Sequence, residues 1–212
     1  MTTGAQPQAH DPQHVAIGFA VAAEPSSPER PPPITPSSAS DTAAPFRDLA
    51  AHFAELRAQV DALDKTPGPG FFAEVTPLLL ESQQLTRRLV AALSHLSTSD
   101  YSTVPGSRST LDSLAATVGS AALVSTHLAQ AIAVNPLDGL SLLGAPADEV
   151  AIRQVRETDA RDAVEECLAE ALHDLDLTAT CSYAASGIAR NVGLAQARHA
   201  AAQAERQATG RT

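Results

Sequence analysis

Three stretches of the chain repeat residues that are apolar, apart from Ser82 and Ser125, at alternating spacings of three and four positions. They run from Phe46 to Leu63, from Leu78 to Leu96 and from Leu111 to Ile132. This spacing puts the apolar side chains on one stripe of an α-helix, whereas a half-buried strand would need a repeat of two. The chain is therefore predicted to be all-α, with helices that bury a heptad-type stripe as coiled coils do.

The composition favours a helical bundle whose core is aliphatic. Aromatic residues make up 3% of the 212 residues, and tryptophan is absent. Leu, Val, Ile and Ala must therefore fill the core, and Ala has the highest helix propensity of all residues. We predict an up-and-down bundle of four to five helices, joined by short loops marked by Pro and Gly.

The first 44 residues are predicted to be a disordered arm rich in Pro, Ser and Ala. Nine of the fifteen prolines lie at or before Pro45, and such a segment buries too little apolar surface to offset the entropy of ordering it. Its run Pro31–Pro36 is either part of a tail without a binding function or a polyproline ligand for another protein. The bundle domain then spans residues 45–207, and residues 208–212 are predicted to fray.

Proline and small polar residues mark the predicted helix starts, because proline suits a first helical turn and Ser or Thr can cap it. The five starts are placed near Pro45, at Pro77 after Thr76, near Ser109, at Pro146 and near Thr178.

The stripe of the first helix is predicted to be an interaction face and a candidate dimer contact, since it is narrow and carries two phenylalanines. Its members are Phe46, Leu49, Phe53, Leu56, Val60 and Leu63.

Charge changes sign near residue 177. Residues 136–177 hold eleven acidic and three basic side chains, whereas residues 178–212 hold one acidic and four basic side chains. If the fourth and fifth helices form an antiparallel hairpin, an acidic group would face a basic contact face of the same chain. The acidic group comprises Glu165, Glu166, Glu170 and Asp174, and the basic face comprises Arg190, Arg198 and Arg206. The alternative is that the basic face binds an acidic partner outside the chain.

The net charge of −10 argues against a general nucleic-acid binder, which needs a basic surface. The third helix has no formal charge between Asp112 and Asp138. It is either a membrane span of roughly twenty residues or a central helix of a bundle. Its several Ser and Thr residues favour the central helix, so no membrane association is expected.

No stretch of the chain predicts catalysis. Glu170 and His173 have the i, i+3 spacing of di-iron bundle ligands, but no second pair accompanies them. Cys167 and Cys181 match no zinc spacing and are expected to be buried, reduced thiols. We assign no catalytic, cofactor-binding or metal-binding residue and expect no cofactor. If one histidine acts as a pH switch, it is His127 in the third helix.

These observations favour a non-enzymatic interaction or scaffold protein, regulatory in character, that acts through heptad-type helix faces. A protein partner or self-association is expected, with no nucleic acid, and the small cysteine count favours a cytoplasmic location. The alternative is a small-molecule-binding bundle, or an enzyme, with a core pocket beside the third helix near His127.

Overall fold

A computed structural model describes residues 36–136 and 147–210, so the predicted arm up to residue 35 and the connector 137–146 lie outside the described residues. The all-α prediction is confirmed. Five helices and one short 3₁₀ turn form the described part: α1 (Pro36–Asp61), α2 (Pro69–Thr98), the 3₁₀ turn (Asp100–Thr103), α3 (Ser107–Val134), α4 (Ala147–Thr178) and α5 (Thr180–Thr209).

Two predicted helix starts were wrong, because Pro45 lies inside α1 and Pro77 lies inside α2. Proline removes one backbone hydrogen bond from a helix interior, but here the apolar stripe continues upstream of both prolines. Ala43 in α1 and Phe71 in α2 are buried on their helices' inner faces. Burial of these upstream side chains stabilises the additional helical turns despite the missing hydrogen bonds.

Helices α1 and α3 each pack against α2, α4 and α5, so α2 lies on one side of the bundle and α4 with α5 on the other. The core between them is aliphatic, with two buried phenylalanines from α1 and one from α2. Its largest fully buried side chains are Phe46, Phe53, Leu49, Leu56, Leu85, Leu89, Leu96, Leu114, Leu128, Leu168, Ile188 and Val60.

Helices α4 and α5 continue one another instead of folding back, so the hairpin on which the intramolecular charge pairing depended does not form. Only Ala179 separates them, and its backbone stays in the right-handed helical region at φ −56° and ψ −19°. The amide of Ala179 donates to the carbonyl of Asp176, and the amide of Ser182 donates to that of Ala179. A single tight turn of this kind interrupts the α-helical ladder without reversing the chain.

The register against α3 shows that α4 and α5 run in one direction. His127 of α3 meets Asp174 of α4, and Thr110 of α3 meets Asn191 of α5. From the first contact to the second, the residue number falls by seventeen on α3 and increases by seventeen along α4 and α5. Both helices therefore run antiparallel to α3. We call residues 147–209 the rod; at 1.5 Å per residue it is about 94 Å long.

The rod is longer than the helices that flank it, because α3 has 28 residues and α1 has 26. Buried rod side chains therefore occur between Val164 and Val192, and the side chains of residues 197–210 are all exposed. At the other end, residues 151–162 are exposed apart from two half-buried positions. The C-terminal end of the rod thus extends past the packed part of the bundle, whereas its N-terminal turns border the loop around Pro67.

Asparagine side chains tie the loops to the bundle at both ends. The Asn135 side chain accepts a hydrogen bond from the Gly68 amide at 2.6 Å and donates to the Gly68 carbonyl at 2.9 Å. At the opposite end, Asn191 donates to the Tyr101 hydroxyl at 3.1 Å. Gly106 adopts φ +88° beside Asn191, where an added Cβ would lie 3.0 Å from the amide oxygen. Only glycine fits that turn without strain.

Candidate interaction surface

The stripe of α1 that was predicted as an interaction face lies in the core of the same chain. Phe46, Leu49, Phe53, Leu56 and Val60 are at most 2% exposed, and Leu63 is half-buried after the end of the helix. Since α2, α4 and α5 cover α1, this stripe contributes to the fold and is not accessible to a partner in the folded bundle.

The three arginines of the predicted basic face are exposed along α5. Arg190, Arg198 and Arg206 take part in no ion pair among the described residues. None of them meets the acidic group of α4, because the two helices lie end to end. The acidic group itself is divided. Asp174 is buried against His127, whereas Glu165, Glu166 and Glu170 are exposed.

The rod presents a continuous outward face that the bundle does not cover. Along it, exposed residues recur at the three-and-four spacing that keeps side chains on one stripe of a helix. The stripe carries Val155, Asp159, Asp162, Glu166, Ala169, His173, Tyr183, Arg190, Leu194, Ala197 and Ala201. Tyr183, at the middle of the bundle, is 76% exposed, and Leu194, at the end of its packed part, is 53% exposed. This outward face therefore combines exposed apolar side chains with charges of both signs.

His127 and Asp174 form a polar pair between α3 and α4. The His127 Nε2 lies 3.2 Å from an Asp174 carboxylate oxygen, and the two side chains are 18% and 7% exposed. The Nδ1 of His127 lies 3.3 Å from the Gln130 side-chain oxygen. Both ring nitrogens thus have a polar neighbour, which stabilises an otherwise costly buried carboxylate. His127 is half-buried in this position, and the pair holds α3 and α4 in register.

The residues considered for metal or nucleophilic chemistry do not converge. Glu170 and His173 are both exposed, and within the described ranges no three His, Cys, Asp or Glu side chains are grouped to hold a metal ion. Cys167 and Cys181 are free thiols. Burial raises the pKa of the Cys181 thiol to about 11 and also raises the pKa of Cys167. Both thiols therefore remain protonated, and unreactive as nucleophiles, near neutral pH.

Three of the clefts in the described part of the chain are well defined, and none of these three includes His127. Two lie at the end of the bundle, where the loop around Pro67 meets the first turns of α4; one of these, of about 240 Å³, includes Pro136 and Ile152. The third is a groove of about 440 Å³ between α1 and α2 that includes His52 and Arg88. The alternative function predicts a pocket beside His127, and these clefts do not supply it.

Among the described helices, α3 is long and apolar enough to cross a membrane by length and composition. The same criteria are met by the central helix of a soluble bundle. Here α3 packs against three helices, and its side chains from Leu114 to Ala131 contribute to the core at three- and four-residue intervals.

Comparison with known proteins identifies no relative: no family model, no curated protein and no solved structure matches this chain.

Proposed function

We propose that this chain is a non-enzymatic interaction or scaffold protein that binds a protein partner through the outward face of the rod. The supporting observation is the rod itself, two helices in line that together measure about 94 Å, extend past the bundle at the C-terminal end and leave Tyr183 and Leu194 exposed. Exposed apolar groups on a regular, charge-bearing helix face are typical of protein-binding surfaces.

In this proposal the contact surface lies on the rod and not on α1. It is still a heptad-type helix face, as the sequence predicted. Such a face binds another helix or helix pair by placing apolar residues at the centre and charges at the flanks. The two free thiols, Cys167 and Cys181, are consistent with our proposed cytoplasmic location.

Site-specific photo-crosslinking of the full chain tests this proposal. A photoreactive phenylalanine analogue replaces Leu194 on the outward face, and in a control variant it replaces Gln84, which is exposed on α2 on the far side of the bundle. We expect a protein adduct from position 194 in cells that express the chain, and none from position 84. Equal yields at the two positions, or no adduct at either, would contradict a partner-binding face on the rod.

A further inference from the structure

The surface between α2 and α3 carries an uncharged stripe on each helix, next to the buried one. The residues of each stripe recur at alternating spacings of four and three positions, which keeps them on one side of the helix. We call the two stripes together the α2–α3 face. On α2 it comprises Phe72, Thr76, Leu79, Gln83, Thr86, Val90, Leu93 and Ser97, and on α3 it comprises Leu111, Ala115, Val118, Ala122, Ser125, Ala129 and Ile132. All of these side chains are exposed or half-buried, and none of them carries a formal charge.

Two hydrogen bonds show that both stripes border the same seam. The Thr86 hydroxyl of the α2 stripe donates to the carbonyl of Ala121 on α3 at 3.1 Å, and the Ser125 hydroxyl of the α3 stripe lies 2.7 Å from that of Ser82 on α2. The two stripes are therefore adjacent and form one continuous surface. Because α2 and α3 are antiparallel, residues of the two helices whose numbers add up to 207 lie at the same level.

The core does not account for the apolar character of this face. Only 28% of the most apolar window of α3 is buried inside the bundle. Leu79, Leu93 and Val118 are only partly buried against the core, and Phe72 and Val90 are 40% and 46% exposed. Apolar surface of both helices is thus left in contact with water.

Charged side chains flank the face but do not interrupt either stripe. Arg87 of α2 and Arg108 of α3 are exposed at its margins, whereas α1 exposes Arg47, Asp48 and Glu55 on its outer side. The whole chain has a net charge of −10, so two copies repel each other where their charged surfaces meet. On the α2–α3 face this repulsion is small, and no charge has to leave water when the face is covered.

We propose that the α2–α3 face binds a second copy of this chain, with a two-fold axis parallel to the helices. Such an axis gives an isologous interface, in which the same surface of both copies takes part, as in most homodimers. The outward face of the rod stays uncovered, so this dimer is a contact beyond the proposed function.

The side chains of α2 and α3 have complementary sizes in this arrangement. The axis places α2 of each copy on α3 of the other and keeps every residue at its level. Leu79 then lies at the level of residue 128, next to Ala129, and Val90 lies at the level of residue 117, next to Ala115. Large side chains of one helix thus fit over small ones of the other, as in ridges-into-grooves packing. An axis perpendicular to the helices would instead place the large residues of α2 against each other.

The face is also large enough for a stable dimer. It is about 32 Å long from Leu111 to Ile132 and, with two helices side by side, about 20 Å wide. Two such faces would bury about 1,300 Å² together, within the range of about 1,200–2,000 Å² that is typical of stable interfaces.

Light scattering of the full-length chain on a size-exclusion column tests the dimer. The wild-type chain should have twice its 21.9 kDa mass. Val90→Glu should have the monomer mass, because a carboxylate covered without a partner is costly and should raise the dimer Kd by roughly tenfold or more. Val155→Glu is the matched control, since it adds the same charge at an exposed valine of the rod, and it should leave the dimer intact. Circular dichroism checks that each variant is folded.

Cysteine pairing tests the arrangement of the two copies. A full-length chain with Val90→Cys is mixed with one carrying Ala115→Cys, and the mixture is oxidised. We expect a disulfide that joins the two different variants, because α2 of one copy then lies on α3 of the other, and none from either variant alone. A disulfide formed by Val90→Cys alone would place α2 against α2 and overturn the proposed axis.

The outcomes also separate this inference from the proposed function. A wild-type monomer at high micromolar concentration, or a Val90→Glu chain that stays dimeric, would overturn the dimer through the α2–α3 face. The crosslink from position 194 reports on a different surface, so an adduct there would support the partner-binding rod whichever mass the chain has.

Discussion

Val155 and Val164 lie nine residues apart in α4, yet one is 60% exposed and the other is fully buried. Helical propensity and side-chain type are the same at the two positions, so neither accounts for the difference. It arises because the rod is longer than its neighbours, and only its middle is covered by α1 and α3. In this molecule the middle of the rod stabilises the fold, while its ends and outward face are available for other contacts.

The largest expected effect in the middle of the rod comes from the buried pair. Replacing Asp174 with Ala deprives His127 of its carboxylate neighbour, and replacing His127 with Leu leaves a carboxylate buried without a partner. Removing one member of a buried pair costs about 3–5 kcal/mol. We expect His127→Leu to lower the free energy of unfolding in urea by an amount of this order, and Asp174→Ala to lower it by about 1–3 kcal/mol, because the imidazole left behind can be neutral.

The matched control is Asp159→Ala, which removes the same side chain from an exposed position of α4. It should change stability by less than about 0.5 kcal/mol. A variant with Leu at both 127 and 174 should be more stable than His127→Leu alone, because no buried charge then lacks a partner. Equal losses for Asp174→Ala and Asp159→Ala would show that the pair does not hold α3 and α4 together.

The second-largest expected effect is the difference in stability loss between alanine substitutions of Val164 and Val155. Val164→Ala removes two buried methyl groups, and with about 0.8 kcal/mol per buried carbon it should cost about 2 kcal/mol. Val155→Ala should have almost no effect on the urea midpoint, since its side chain is already in water. If the two substitutions cost the same, the exposed end of α4 must be packed in solution.

The helices and their buried stripes could be predicted from the sequence, because the spacing of Leu85, Leu89 and Leu96 records which side of a helix is apolar. The same pattern does not show whether that apolar stripe packs against helices of the same chain or against another chain. The stripe of α1 was therefore predicted as a surface, whereas it lies in the core. The sequence identified the residues of this stripe but not the helices of the same chain that cover it.

The rod could not be predicted because the sequence shows it only through the lack of a turn-forming residue between α4 and α5. Thr178 was interpreted as a helix start, and the acidic-to-basic change as compatible with a hairpin, yet no Gly or Pro lies between Asp176 and Ser182 to reverse the chain. Charge pattern alone is equally compatible with a hairpin and with pairing between chains. The roles of Asn135 and Asn191 were also missed, since an asparagine gives no sequence signal of the distant backbone or hydroxyl that it binds.

Two glycines of α5 provide a third comparison, of about 1 kcal/mol. Gly193 has open space where a Cβ would be, so Gly193→Ala should stabilise the helix by up to about 1 kcal/mol. At Gly187 a new Cβ would lie 3.3 Å from the hydroxyl of Thr110, a buried side chain within hydrogen-bonding distance of Asn191. Gly187→Ala should therefore lose this gain or destabilise. Thermal unfolding of both variants measures the difference, and equal gains would mean that α3 and α5 are not in close contact.

The smallest expected effect concerns an exposed ion pair two residues from the buried one. Arg57 of α1 hydrogen-bonds to Asp176 of α4, and both side chains are largely in solvent. The Arg57 guanidinium lowers the pKa of the Asp176 carboxyl, so the pair stabilises the fold above the unfolded-state pKa of aspartate, about 3.9. That contribution is lost as the pH falls and Asp176 becomes protonated in the folded state.

Arg57→Ala should therefore lower stability only slightly at pH 7, and the gap to the wild-type chain should close as the pH falls below about 4. Because water and salt screen an exposed pair, the loss at pH 7 should be far below that of Asp174→Ala, although both substitutions remove a contact between the rod and the bundle. Urea unfolding of both variants at pH 7 and pH 3.5 makes this comparison. A gap that widened at low pH would mean that Arg57 stabilises the fold through packing of its aliphatic stem against the rod, since only the charge interaction disappears when Asp176 is protonated.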